Sequence, residues 1–184
     1  MATVLFINRQ DLVRNSIIDG NVDSDKYIQF IKLAQEIHIQ NYMGTEMYNA
    51  LSAAIPDIDN PANARWKTLL DDYIVSMLIW FSQVDYIPFA SYQIRNGGMM
   101  KHRSENSETV SKNEVDYLVE KARTNAEWYS RRFIDFMAFN QTTYPEYTSN
   151  TNNDIYPSYD ATFNGWVLWV INQKRKMLRN LKLS

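Results

Sequence analysis

The chain has 184 residues, a formal net charge of −2 and no cysteine. The lack of cysteine excludes disulfides, iron–sulfur clusters, thiolate zinc sites and cysteine nucleophiles. Hydrophobic residues make up 45% of the chain, which is enough for one globular domain with its own core.

The residues that usually carry catalysis or bind metals are few and scattered. The two histidines, His38 and His102, have no metal-ligand spacing between them. We expect His38 to be a partly buried structural residue and His102 to lie in a solvated loop. Neither a phosphate-binding glycine loop nor a Gly-x-Ser-x-Gly motif is present. The sequence therefore predicts no cofactor, no metal and no enzymatic activity.

Helical periodicity begins after a short apolar N-terminus. Residues 3–7 have the composition of an edge strand or an N-terminal arm. Spacing of apolar residues then predicts a helix over residues 24–42, with Gly44 at its C-terminal end. Thr45 begins a second helix that runs to residue 54, and Pro56 ends it.

Two long helices follow, and we expect them to pack as an antiparallel pair. The first covers residues 61–86 and is stopped by Pro88; the second covers residues 111–140 and begins with a capping box. Between them, after two glycines, residues 99–109 are polar and are expected to project as a loop or loose hairpin. The predicted shared core of the pair includes Leu70, Ile74, Met77, Leu118, Ala122 and Tyr129.

The composition changes after Gln141. Residues 142–160 hold four tyrosines, two prolines and three acids but no base, and such a segment cannot build its own core. We therefore predict an all-α fold, a compact helical bundle with a protruding loop and an extended C-terminal arm. Residues 1–141 form the helical domain in this interpretation, and residues 142–184 form a docking arm. Truncation after Gln141 would then leave the domain folded.

The end of the chain carries the predicted partner-binding residues. After residue 160 there are five cations and no anion, which leaves a net charge of −7 on residues 1–160. Large aromatic residues anchor protein interfaces, and cations steer association. The candidate docking residues are Trp166, Trp169, Lys174, Arg175, Lys176, Arg179 and Lys182 in the arm, with Lys101 and Arg103 in the loop. Docking on a protein is favoured; a nucleic-acid-binding accessory protein that uses the basic tail is the alternative.

A helix–glycine–helix pattern links the chain to a known family. Ile28, Ala34, Ile37, Gly44, Tyr48 and Leu51 match the spacing of this pattern, with Met43 before the glycine where leucine is usual. Over residues 24–140 the chain resembles the head–tail connector (neck adaptor) proteins of tailed bacteriophages, and it looks most like those of crAss-like phages.

This resemblance implies a virion structural protein without catalysis or cofactor. Made in the host cytoplasm, it would form a homo-oligomeric, twelve-membered ring in the neck, between capsid and tail. Its partners would be its own copies, the portal protein and other neck or tail proteins. DNA would pass through the channel without sequence-specific contact, and no membrane would be involved. The long Tyr- and Asn-rich arm and the Trp-rich end are not part of the resemblance.

Overall fold

The fold is helical, as the sequence predicts. The computed structural model describes residues 4–16, 24–90, 92–95, 98–101, 111–149 and 154–160. In chain order the longer elements are α1 (Arg9–Asn15), α2 (Ser24–Ala34), α3 (Gln40–Met43), α4 (Thr45–Ala54), α5 (Ala64–Leu69), α6 (Val75–Ala90), β1 (Tyr92–Arg95), β2 (Gly98–Lys101) and α7 (Lys112–Phe139). Short 3₁₀ turns lie at Ile55–Asp57, Pro61–Asn63 and Pro145–Tyr147.

The first long helix contains a π-helical turn in its middle. Gln35–Ile39 joins α2 to α3 without a break, so the predicted helix over residues 24–42 is confirmed. A π turn inserts an extra residue and rotates the faces that flank it. Tyr27, Ile31 and Ala34 are buried as the periodicity predicts, but Ile28 and Ile37 are exposed.

Gly44 separates α3 from α4 and requires a residue without a side chain. Its φ of 76° and ψ of 157° lie in a region that only glycine adopts readily. A Cβ atom at this position would lie 2.7 Å from Cδ of Pro157. The glycine therefore makes the corner between the two helices and also lets a distant part of the chain approach it.

The central helix pair is antiparallel. A second π turn, Leu70–Ile74, joins α5 to α6, and Pro88 lies inside α6, which ends at Ala90. The prediction that Pro88 stops this helix is therefore wrong by about half a turn. Tyr73, near the start of the long helix, stacks on Phe136, near the end of α7, at 4.2 Å between ring centroids.

The predicted core of this pair is right for Ile74, Met77 and Ala122, which are all nearly inaccessible to solvent. Leu118 is an error of the prediction, because 40% of its surface is exposed. The described part of α7 buries Ala122, Ala126, Ser130, Phe133 and Met137, whereas the turn that contains Leu118 has no buried residue. Helical periodicity gives the face of α7 correctly but does not show where along the helix the partner ends.

Among the described N-terminal residues, 4–7 do not form the strand that is one of the two predicted alternatives, and Phe6 and Ile7 belong to the core. Phe6 and Ile7 are buried in a bend before α1. The backbone N–H of Phe6 donates to Oε1 of Gln35 at 2.9 Å, and Nε2 of Gln35 donates to the carbonyl oxygen of Val4 at 2.8 Å. Gln35 also donates to the hydroxyl of Tyr48. One fully buried amide thus satisfies the backbone polar groups of a segment that has no sheet to join.

The prediction of an extended arm is wrong for the described part of residues 142–160, which packs against the helices. Tyr144 and Tyr147 each expose only 2% of their surface, and both belong to the same core as the helices. Tyr144 packs edge-on against Trp66 and Phe136, and Tyr147 packs edge-on against Phe133. Tyr144 therefore packs between α5 and α7, and Tyr147 packs on α7. The segment cannot build a core of its own, but it completes the core of residues 4–139.

A short antiparallel hairpin, formed by β1 and β2, follows α6 and precedes α7 in the chain. Tyr92 pairs with Lys101 and Arg95 with Gly98, so residues 99–101 of the predicted loop or loose hairpin belong to a strand that pairs with residues before the glycines. Residues 102–109, the remainder of the predicted polar loop, lie outside the described residues.

Candidate assembly surface

Most of the predicted partner-binding residues are outside the part of the chain that the structure describes. This applies to Trp166, Trp169, Lys174, Arg175, Lys176, Arg179, Lys182 and Arg103. Lys101 ends β2, and its backbone pairs with that of Tyr92. The structure therefore neither brings these residues together nor separates them, and the surfaces of the described helices become the place to look for a site.

His38 has the structural role expected of it. It is 7% exposed, and its ring stacks on that of Phe81 at 4.1 Å between centroids. Its Nε2 lies 3.3 Å from a carboxylate oxygen of Asp85. Among the described residues, no group of three His, Cys, Asp or Glu side chains is placed to hold a metal ion. The arrangement of His38 serves packing between the first long helix and α6.

The exposed face of α7 carries three large aromatic residues at a regular spacing. Tyr117, Trp128 and Phe139 expose 62%, 58% and 88% of their surface. They are eleven residues apart, which is close to three full turns of an α-helix, so they lie on one line with about 16 Å between neighbours. We call these three residues the α7 aromatic stripe.

Charges accompany this stripe without covering it. The Lys121 ammonium lies 5.6 Å from the centre of the Tyr117 ring, and Arg123 lies 3.9 Å from the Glu120 carboxylate. Such exposed ion pairs and cation–π contacts contribute little free energy each. The aromatic rings of the α7 aromatic stripe thus offer apolar area for contact with another molecule, with cations beside it.

The helix that presents the stripe is capped at its start and bonded to a neighbouring helix in its second half. Ser111 and Glu114 form a capping box at the start of α7, and the hydrogen bonds from Ser111 lower the pKa of the Glu114 carboxyl. Near the other end, Arg132 donates to the carbonyl oxygen of Asp72 at 2.9 Å and lies over the Tyr73 ring. A preorganised helix loses less conformational entropy on binding than a loop does.

Polar contacts join residues 144–149 and 154–160 to the helices. Arg65 forms a bidentate pair with the carboxylate of Glu146, with bonds of 2.6 and 3.2 Å. The Thr45 hydroxyl donates to Asp154 at 2.8 Å, and its backbone N–H donates to the Ile155 carbonyl oxygen. These bonds tie the segment to the starts of α4 and α5.

The nearby Tyr42 hydroxyl is part of the same packed region. Burial raises the pKa of Tyr42, and the negative charges of Glu127 and Asp160 raise it further, against a hydrogen bond with Ser130 that lowers it. The backbone N–H of Ser158 donates to the carbonyl oxygen of Asn41 at 2.9 Å, so the last described residues lie beside α3. The chain leaves the described structure from this place.

A pocket of about 740 Å³ lies on another side of the molecule, where the N-terminal segment meets α2 and α5. Its apolar lining includes Leu5, Ile28, Ile55, Ile58 and Val75, and Asp11, Asp59, Lys67 and Asp71 also line it. Lys67 pairs with Asp59, and this hydrogen bond raises the pKa of the lysine. With three carboxylates and one ammonium group, the polar lining has an excess of negative charge.

Sequence reasoning missed both features for identifiable reasons. The sequence prediction does not single out Tyr117, Trp128 or Phe139, although their eleven-residue spacing is visible in the sequence. A spacing of eleven is as compatible with a buried line as with an exposed one. The pocket is assembled from segments distant in sequence, so no local pattern indicates it.

Comparison with known proteins gives a family without an assigned activity. Residues 39–157 match a family model described as a family of unknown function, DUF6712. No curated protein matches the chain. No solved structure matches it either. Among the described helices, none is both long enough and apolar enough to cross a membrane.

Proposed function

The chain belongs to the DUF6712 family, and for this member we propose a structural role in the virion, as a head–tail connector adaptor that forms a ring between the portal and tail components. The α7 aromatic stripe is the observation that carries this proposal. Three aromatic residues on one line of a helix, each more than half exposed, are separate anchors of the kind that are enriched at protein interfaces.

Ring closure needs two different faces on each subunit. In a cyclic assembly of more than two copies, one face contacts a different face of the next copy. The α7 aromatic stripe supplies one face. Leu33 and Ile37, four residues apart on the first long helix and 41% and 47% exposed, supply an apolar second face on a different helix.

The resemblance to phage neck adaptors supports the same proposal. Of the signature residues, Ala34, Gly44, Tyr48 and Leu51 are buried where α2, α3 and α4 meet. They therefore build the corner of the helical fold. The family match over residues 39–157 includes this corner, α7 and residues 144–149 and 154–157, which is the part of the chain that would form the body of a ring subunit.

Removal of the central stripe residue should weaken assembly. A Trp at an interface centre can contribute 2 kcal/mol or more, so Trp128→Ser is expected to raise the dissociation constant for self-association about 30-fold or more. The measurement is sedimentation velocity over a range of concentrations, with thermal unfolding of the monomer as a check on folding.

Leu118→Ser is the matched control for this experiment. Leu118 is also exposed on α7 but is one residue past Tyr117 and therefore turned about 100° from the stripe. We expect this variant to assemble like the unaltered chain. Equal assembly of both variants would argue against the stripe as the contact, and salt-sensitive DNA binding without rings would favour the nucleic-acid alternative.

A further inference from the structure

The acidic pocket between the N-terminal segment and α2 has a matching segment in the same chain. We propose that residues 161–184 of the free chain fold back on this pocket, so that their tryptophans enter it against its apolar lining and their cations contact its carboxylates. The inference concerns the free chain and goes beyond the proposed function.

Size and lining define what the pocket accepts. A volume of about 740 Å³ is in the range of about 300–1,000 Å³ of pockets that bind compact ligands. Ile28 exposes 42% of its surface on this pocket, although it is an isoleucine on a helix of the core. An occupant that covers Ile28 with an apolar side chain would remove this area from water.

Charge selects a cationic occupant. Asp11, Asp59 and Asp71 face the same pocket as Lys67, so the polar lining has two more negative than positive charges. Residues 161–184 carry Lys174, Arg175, Lys176, Arg179 and Lys182 with no anion, and apolar residues precede and interleave them. The rest of the chain has a net charge of −7 when these five cations are subtracted from its total. This segment is therefore the most complementary part of the chain to the pocket.

Reach and tethering favour the same chain over a second copy. The backbone N–H of Ser158 donates to the carbonyl oxygen of Asn41 at 2.9 Å, and Ile31 of the pocket is ten residues before Asn41 on one continuous helix, or about 15 Å along its axis. Twenty-four residues span up to about 80 Å when extended. A tether of this kind gives an effective concentration in the millimolar range. At micromolar protein concentration the chain's own segment outcompetes that of another copy.

Zero-length cross-linking of the full chain tests the proposal. A carbodiimide joins a carboxylate to a lysine amine only where the two are in contact. We expect cross-links from Asp11, Asp59 or Asp71 to Lys174, Lys176 or Lys182 in the monomeric fraction, identified by mass spectrometry. A mixture of ¹⁵N-labelled and unlabelled chains distinguishes links within a chain from links between chains.

Two matched pairs of variants make the test specific. Asp71→Asn and Ile28→Ser alter the pocket, whereas Asp72→Asn and Leu118→Ser alter exposed residues that do not line it. Each pocket variant should reduce the yield of the remaining pocket cross-links at least threefold, and each control should leave it unchanged. Absence of these cross-links, links only between chains, or equal yields in both members of a pair would overturn the proposal. These outcomes would not contradict the proposed ring, because the cross-links are measured in the monomeric fraction.

Discussion

A chain that ends at Gln141 is expected to lose its cooperative thermal unfolding transition. Truncation removes Tyr144 and Tyr147, which are each 2% exposed in the core. Loss of one large buried aromatic side chain costs about 3–5 kcal/mol, and the total stability of a domain is about 5–15 kcal/mol. The truncated chain also exposes Trp66 and Phe133, which these tyrosines cover. Circular dichroism during heating measures the result.

Truncation after Asp160 is the control for this experiment. It keeps every described contact of residues 144–160, including the Arg65–Glu146 pair and the Thr45–Asp154 hydrogen bond. We expect this chain to keep a single cooperative unfolding transition. A cooperative transition at an unchanged temperature for the chain ending at Gln141 would show that Tyr144 and Tyr147 are not needed for the core.

Ile74→Asp should unfold the protein or make it aggregate. Ile74 is 0% exposed in the π turn between α5 and α6. An unpaired carboxylate at such a position costs several kcal/mol, which is a large part of the total stability. The measurements are the fraction of the protein that is soluble and the urea concentration at which half of the soluble protein is unfolded.

Leu118→Asp separates burial from hydrophobic pattern. Ile74 and Leu118 both belong to the predicted core of the helix pair, but Leu118 is 40% exposed. Substitution on the surface usually changes stability by about 0.5 kcal/mol or less. We expect a urea midpoint near that of the unaltered chain for Leu118→Asp. If the two variants lose equal stability, the α6–α7 contact extends further along α7 than the structure has it.

Local signals in the sequence were sufficient for most of the helices. The Ser111–Glu114 capping box, the Asn60-Pro61 entry and Gly44 each mark a helix end that the structure confirms. These features act over three or four residues, so a single sequence contains all the information needed. The α1 capping box of Asn8 and Asp11 has the same character, but its short helix was not predicted.

Features that depend on distant segments were beyond sequence reasoning. Tyr144 and Tyr147 look like linker residues because their partners, Trp66 and Phe133, are on other helices. Gln35, the first residue of the π turn Gln35–Ile39, bonds to Val4 and Phe6, about thirty residues away. For the assembly site, composition shows that aromatic residues are plentiful, but only packing shows that Tyr117, Trp128 and Phe139 are exposed together.

The central claim is that this chain forms a ring on a portal. Electron microscopy of the full chain mixed with a candidate portal protein tests this claim most directly. We predict closed rings, twelve-membered as in the phage adaptors that the chain resembles, seated coaxially on the portal, with Trp128→Ser reducing their number and Leu118→Ser leaving it unchanged. Particles of bare portal beside monomers of this chain, at concentrations well above those found in an infected cell, would contradict it.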